Sequence, residues 1–490
     1  METEIARLLL LYTGGTIGMM PSERGYTPVS GYLERQLEAM PQFHDKTMPR
    51  LTTPPSRFGK RIHYEVLEYA HPIDSAYMDV QDWVQIAHLI EQHYDAYDAF
   101  VILHGTDTMA YTASALSFML EDLAKTVILT GSQIPLSQSS NDAIENLLGA
   151  MTLAGHYEIP EVCLFFRGHL YRGNRTQKVD AAGLQAFDSG NLPPLATTGT
   201  HIQVDWDLIR SIPRKPFRVQ TITNRDVAAV RIFPGIRSDA LANFLKPPIQ
   251  GLVLETYGSG NFPANRLDLM EVLRLATERG VVIVNCTQCH KGMVNSDYAA
   301  GSALYDVGVI SGSDMTPEAA LTKLAYLLSQ DLPTDEIKQQ MQRSLRGERS
   351  EPQNQTRFSF RERAFLDSVA RTISSLASSD DKVHLERTLY PVLLCAASEI
   401  GDIEGIQRML DDGADINARD YNGRTPLHVA AAAGQSHTVQ LLLQHGASPL
   451  IADRSGHTPL DEAYRHQHPD VIALFELIHK ARSPAPLGAG

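Results

Sequence analysis

Past a short polar N-region the chain holds five consecutive apolar positions, Leu8 to Tyr12. This run has strand length and is closed by a glycine-rich turn, Thr13-Gly14-Gly15-Thr16-Ile17-Gly18. Similar blocks recur at Ala99–Leu103, Thr126–Thr130 and Val162–Phe166, with helical periodicity between them near 80–96, 108–122 and 142–154. Before them the pattern predicts a helix over 30–40 with Ser30 as its N-cap, an exposed basic, proline-bearing loop over 46–62, and a strand over 63–70. Continuous apolar strands alternating with helices predict a parallel sheet covered on both faces. In such sheets the carboxyl ends of the strands carry the binding site.

Residues 186–217 show few periodic signals and read as a connection between domains. A smaller α/β unit is predicted beyond it, with strands near 228–233, 251–255 and 281–285 and helices near 237–245, 263–279 and 316–330. The polar stretch 346–387 reads as a linker with a helix near 360–377. The last part repeats. Asp420-x-x-Gly423-Arg424-Thr425-Pro426-Leu427-His428 returns 33 residues later as Asp453-x-x-Gly456-His457-Thr458-Pro459-Leu460-Asp461. That period, with its Thr-Pro-Leu turns, resembles ankyrin repeats, about three of them and all α-helical. The expected division is therefore 1–200, a connection 201–225, 226–345, a linker 346–387, repeats 388–482 and a flexible tail 483–490.

A length of 490 residues is too great for one core and agrees with several domains. The formal net charge of −14 disfavours nucleic acid and anionic membrane as principal partners. No apolar stretch reaches the 18 residues of a candidate membrane span, and the acidic N-region does not read as a signal peptide. Four cysteines, Cys163, Cys286, Cys289 and Cys395, lack a disulfide-framework spacing and point to a reducing, cytoplasmic compartment.

The turn at 13–18 places the Thr16 hydroxyl just past a strand end, where it reads either as a nucleophile or as part of a structural turn. It lacks the spacing of a dinucleotide loop and the lysine of a P-loop. A second hydroxyl-rich turn, His104-Gly105-Thr106-Asp107-Thr108-Met109, follows the strand at 99–103. Asp107 or Thr108 could simply cap the next helix, yet threonine beside aspartate at a strand end also suits binding an ammonium group and orienting a nucleophile. Cys286-x-x-Cys289 has no second pair nearby, so a buried structural Cys286 is expected rather than a zinc or redox centre.

The paired turns resemble the two signature motifs of bacterial-type L-asparaginases. Gly131-Ser132-Gln133, Asn141-Asp142 and Thr256-Tyr257-Gly258-Ser259-Gly260-Asn261 fit the same family in the same order, over roughly residues 5–345. Asn285-Cys286-Thr287-Gln288-Cys289 is similar to the cytosolic type I branch, and the added repeats match the mammalian lysophospholipase/asparaginase architecture. The resemblance implies a two-domain fold, a larger mostly parallel N-terminal sheet and a smaller C-terminal α/β domain, followed by the repeats. It implies Thr16 as nucleophile, Tyr26 as its partner on a flap, and Thr106, Asp107 and Lys178 as a second catalytic group. Asp74 and Ser75 match the loop that holds the substrate's α-carboxylate, Asp107 would pair with its α-ammonium, and Asn261 would reach the site across a subunit interface. Cys289 matches an allosteric-site cysteine, although Gln177 stands where a threonine is expected. The implied substrate is L-asparagine, acted on by a homodimer or homotetramer without cofactor or metal. The repeats imply a further protein partner. Either Lys178 or Tyr26 could take the Thr16 proton, and Lys178 only in its neutral form. A lipid esterase, an amidotransferase subunit and a pure scaffold are the competing functions. The serine elbow of esterases is absent, because Gly14-Gly15-Thr16-Ile17-Gly18 carries threonine.

Overall fold

The computed structural model describes residues 5–482 apart from 24, 57–59, 214, 296–298, 351–378, 412 and 421. The helix expected near 360–377 and the tail 483–490 lie outside the described residues. The chain forms two compact units, Met1–Pro352 and Gln353–Gly490.

The first unit is built on an eight-stranded sheet. Its strands are β1 (Ile5–Gly14), β2 (Arg61–Ile73), β3 (Ala99–Leu103), β4 (Thr126–Thr130), β5 (Val162–Phe166), β6 (His169–Arg172), β7 (Ala196–Thr198) and β8 (Ile202–Val204). The spatial order is β8-β7-β6-β5-β4-β3-β1-β2. β2, β1, β3, β4 and β5 are parallel, and β6, β7 and β8 continue the sheet antiparallel. Alternation along the strands buries both faces. Leu9, Leu11, Phe100, Ile102 and Leu129 enter one core, and Leu8, Leu10, Tyr12, Val101 and Ile128 the other. Each fully buried side chain of this kind contributes about 1.5–3 kcal/mol.

Three local expectations change. The helix Tyr32–Ala39 is preceded at its N-cap by Gly31 with φ 65°, and the Gly31 N–H donates to Glu68 Oε2 at 2.6 Å. The expected Ser30 cap is thus not made; Gly31 takes the N-cap position and a carboxylate from β2 holds its N–H. The stretch 46–62 is not a wholly exposed loop. Thr52 and Thr53 are buried, Thr53 exchanges hydrogen bonds with Ile62, and Arg61 pairs with Asp45 at 2.7 Å. The stretch 186–217 is not a bare connection, because it supplies β7 and β8; Arg218–Val219 just beyond it pairs with Leu120–Glu121.

A second sheet of four parallel strands follows: β9 (Val227–Arg231), β10 (Gly251–Thr256), β11 (Val282–Thr287) and β12 (Ile310–Ser311), in that order. Residues after 345 stay packed on this unit: Glu348 is fully buried against Lys323. The linker therefore begins later than 346.

In the second unit the helix Ser379–Ile400 starts ahead of the expected 388. The repeated turns explain the repeated sequence. Asp420 Oδ1 accepts from the N–H groups of Asn422 and Arg424, and Asp453 Oδ1 from those of Ser455 and His457. Thr425 and Thr458 form capping boxes with His428 and Asp461 for helices Pro426–Ala432 and Pro459–Arg465, each with proline in the first turn.

Candidate active site

Four adjacent parallel strands, β4, β3, β1 and β2, end on one edge of the first sheet, and each ends in a polar turn. β1 delivers Thr16, β2 Asp74 and Ser75, β3 Thr106 and Asp107, and β4 Ser132 and Gln133. The turns pack backbone against backbone. Gly15, at φ 86°, brings its Cα so near the next turn that a Cβ would stand 2.4 Å from the Gly105 nitrogen. Its N–H donates to the Ile73 carbonyl at 3.1 Å, and the Thr108 hydroxyl donates to the Ser75 carbonyl at 2.8 Å. Thr16 begins a one-turn 3-10 helix, Thr16–Gly18, under which the buried Tyr12 ring lies. The Ile17 carbonyl of that turn accepts from the Leu136 N–H at 3.1 Å. Thr16 itself is half-buried.

Lys178 comes from far along the chain, on a two-residue strand, Gln177–Lys178, paired with Phe187–Asp188. Its Nζ donates to Thr106 Oγ1 at 2.8 Å and to Asp107 Oδ1 at 2.6 Å. The lysine is largely buried and Asp107 largely exposed. Thr106, itself buried, passes its hydroxyl hydrogen to Gln133 Oε1 at 3.1 Å. Gln133 Nε2 donates to the carbonyls of Ala181 and Gly183, closing a ring from Lys178 through Thr106 and back to the segment after the lysine. The Gln133 backbone is set by Asp142, whose carboxylate accepts from the N–H groups of Gln133 and Ile134. Gln133 was quoted only within a motif and not as a site residue. The signal was present: it follows the end of β4 as Thr106 follows the end of β3.

Of the other expected residues, Tyr26 lies on a hairpin, Met19–Ser22 with Gly25–Pro28, opposite Pro21. It is exposed, and its strand packs against the Thr16 turn. Asp74 is exposed and caps the Ser75–Tyr77 turn by accepting from the Ala76 N–H, whereas Ser75 is buried. Asn261 sits after β10 in a tight loop closed by backbone hydrogen bonds with Tyr257. Among the described residues no hydrogen bond joins it to Thr16, Thr106 or Lys178.

The family description "Asparaginase, N-terminal" matches residues 7–210, "Glutaminase/Asparaginase C-terminal domain" residues 226–341, and "Ankyrin repeats (3 copies)" residues 393–481. L-asparaginase 1 of Escherichia coli K12 is 52% identical over 347 residues, 70% of this chain and 97% of that protein. The chain belongs to the asparaginase family. Human 60 kDa lysophospholipase is 47% identical over 433 residues, 86% of this chain and 75% of that protein. The crystal structure of L-asparaginase I from Vibrio cholerae is 46% identical, with a TM-score of 0.64 over 71% of this chain and 99% of that one. The two-domain asparaginase fold followed by ankyrin repeats thus stands as expected.

Cys286 lies buried within β11, and burial raises its thiol pKa above the ordinary value, which suits a structural thiol. Cys289 is exposed and lines an open cavity of about 420 Å³ together with Gln177, Lys178, Arg231 and His290. Gln177 is held between Glu318 and His290. Among the described residues Asp453, His457 and Glu462 bring three metal-ligating atoms together, but Arg465 is already paired with Glu462 there. No described helix is long and apolar enough to cross a membrane.

Proposed function

We propose that this asparaginase hydrolyses the side-chain amide of L-asparagine to L-aspartate and ammonia through an acyl-enzyme on Thr16. The observation that carries this reading is the Lys178 ammonium bonded to both Thr106 and Asp107 on the strand-end edge where Thr16 emerges. Thr16 attacks the amide carbon, ammonia leaves once the amide nitrogen is protonated, and water then cleaves the ester to release aspartate. Asp107, exposed and acceptor-only, pairs with the substrate's α-ammonium, while the Asp74–Ser75 turn receives its α-carboxylate. Backbone N–H groups supply the oxyanion donors, because the Thr106 hydrogen is already given to Gln133. Tyr26, on the hairpin over the Thr16 turn, relays the proton; as placed, Lys178 acts as a donor to Thr106 and Asp107.

Ammonia release from asparagine and glutamine, with wild type and Thr16→Ala, tests the reading. Loss of at least about a thousandfold in Thr16→Ala is expected, with unchanged thermal unfolding. Full activity in that variant overturns the mechanism. Assay of the same proteins for fatty-acid release from a lysophospholipid decides whether the esterase activity named in the human relative extends to this chain.

Asn261 is held in its own loop, and we infer that it serves the site of a second subunit in a homodimer or homotetramer. The four free thiols support a cytoplasmic setting, and the ankyrin repeats support a protein partner. The cavity that joins Cys289 to Lys178 supports a second reading, regulation by asparagine. A sigmoidal rate curve that turns hyperbolic in Cys289→Ala is expected; a hyperbolic wild-type curve overturns it.

A further inference from the structure

Away from the strand-end edge, a small cavity of about 50 Å³ is lined by Ser117, Glu161, Arg172, Arg210, Ser211 and Arg346, with Asp122 also at its wall. Its charges are unevenly matched. Glu161 is buried and fully engaged: its two oxygens accept from Arg172 Nε at 2.5 Å and Nη2 at 3.1 Å, and Oε1 accepts the Arg210 backbone N–H at 2.8 Å. Arg172 also donates through Nη2 to the Leu208 carbonyl at 2.6 Å and through Nη1 to the Gly347 carbonyl at 3.4 Å. The guanidiniums of Arg210 and Arg346 are less well served. Arg210 Nη2 reaches the Leu345 carbonyl only at 3.4 Å. Arg346 Nη1 donates to that same carbonyl, and its Nη2 stands 3.8 Å from Glu121. Glu121 is already bonded to Arg218 and Tyr326. Arg346 Nε is buried with no acceptor. A buried donor without a partner is costly, and native structures leave few of them unless water or an ion completes the set.

Three guanidiniums thus meet Glu161 and Glu121, both already engaged, and Asp122 at the wall. Burial pushes the Arg210 pKa below its ordinary value; Glu161 and, more weakly, Glu348 counter this, while Arg346 and Arg172 repel the charge further. The space exceeds what one water needs, about 10–15 Å³ on the same scale. We propose that this cavity binds a compact inorganic oxyanion, phosphate or sulfate, between the Arg210 and Arg346 guanidiniums. Arg210 follows the first sheet and Arg346 follows the second, so the anion ties the two asparaginase domains together and stabilises the folded state by mass action.

The test is thermal unfolding of dialysed full-length protein titrated with phosphate, sulfate or glycerol 3-phosphate at constant ionic strength set with chloride. A saturable rise of about 2–4 °C is expected with phosphate and sulfate and none with the bulkier monoester. The response is expected to vanish in Arg346→Gln while ammonia release is unchanged. Should that variant fail to fold, Ser211→Glu places a tethered carboxylate in the cavity. It is expected to raise the midpoint in anion-free buffer and to abolish the phosphate response. A phosphate effect no larger than that of chloride, an equal response to the monoester, or variants that respond like wild type would overturn the proposal.

Discussion

Partner chemistry places the hydrogens behind Thr106. The Gly105 carbonyl can only accept, so His104 carries a hydrogen on Nδ1, which donates to it at 2.7 Å. Burial disfavours a second hydrogen on the ring, so Nε2 is the acceptor for Thr112 Oγ1 at 2.9 Å, and Thr112 Oγ1 in turn accepts from Trp83 Nε1 at 3.0 Å. That carbonyl belongs to the peptide that leads into Thr106. Burial lowers the His104 pKa from 6.5 to about 4, only partly offset by the bond to Gly105. The unfolded chain takes up a proton below pH 6.5 while the native chain does not. Stability from this residue is thus complete above pH 6.5 and falls toward pH 4, by about 3 kcal/mol in all. His104→Asn keeps a donor and cannot ionise; its urea midpoint should fall less than that of wild type between pH 6.5 and 4. Equal losses would exclude His104 as the source. Gln133 acts on the other side of Thr106. By taking its hydrogen, Gln133 leaves the Thr106 oxygen facing Lys178. Gln133→Met should lower kcat about tenfold, the worth of one hydrogen bond, with little change in the unfolding midpoint.

At the scale of elements, the strand-end turns decide the site. Gly15→Ala must relieve a Cβ 2.4 Å from the Gly105 backbone at a φ of 86°, so the Thr16 and Thr106 turns have to separate. We expect kcat/KM to fall at least about a hundredfold in ammonia release while far-ultraviolet circular dichroism keeps its native form. An active Gly15→Ala enzyme would show that the turns tolerate separation. These turns were legible because β1, β3, β4 and β5 each hold an apolar run of three to five residues and polar clusters follow close behind. The elements that escaped notice lack that signal. β7 and β8 are three residues each, at the sheet edge, where half-exposed positions dilute the pattern. Ser30 was locally the right cap residue, but in the fold Gly31 takes the N-cap position, its N–H held by Glu68 from β2. Lys178 lies on a two-residue strand with no periodicity at all, and only the family resemblance singled it out.

Across the whole molecule, the segment after the second sheet closes the catalytic unit. Arg343 to Ser350 runs over both asparaginase domains. Arg175, from the first domain, forms a two-pronged pair with Asp314 of the second, at 3.1 and 2.7 Å, and donates to the Glu348 carbonyl at 2.9 Å. Asn174 donates to the Arg346 carbonyl at 3.0 Å. Within the second domain, Lys323 and Glu348 form an ion pair with no exposure on either side chain. Burial pushes the Glu348 carboxyl upward, but Lys323 and the N–H groups of Leu345 and Arg346 more than offset this, so its pKa is lowered. A buried ion pair adds little over an apolar pair, whereas removing one partner strands the other at a cost of about 3–5 kcal/mol. That is a large part of the roughly 5–15 kcal/mol that holds a domain folded. The catalytic unit therefore cannot end where its last regular helix, Thr334–Met341, ends. A chain truncated after Pro352 keeps every contact named here and should release ammonia like the full protein, with the same unfolding midpoint for that unit. Glu348→Gln in the full chain leaves the buried Lys323 ammonium without its carboxylate and should unfold at a much lower urea concentration. If truncation after Pro352 abolishes activity while the protein stays folded, the ankyrin repeats belong to the catalytic assembly, and the first unit is not the complete enzyme.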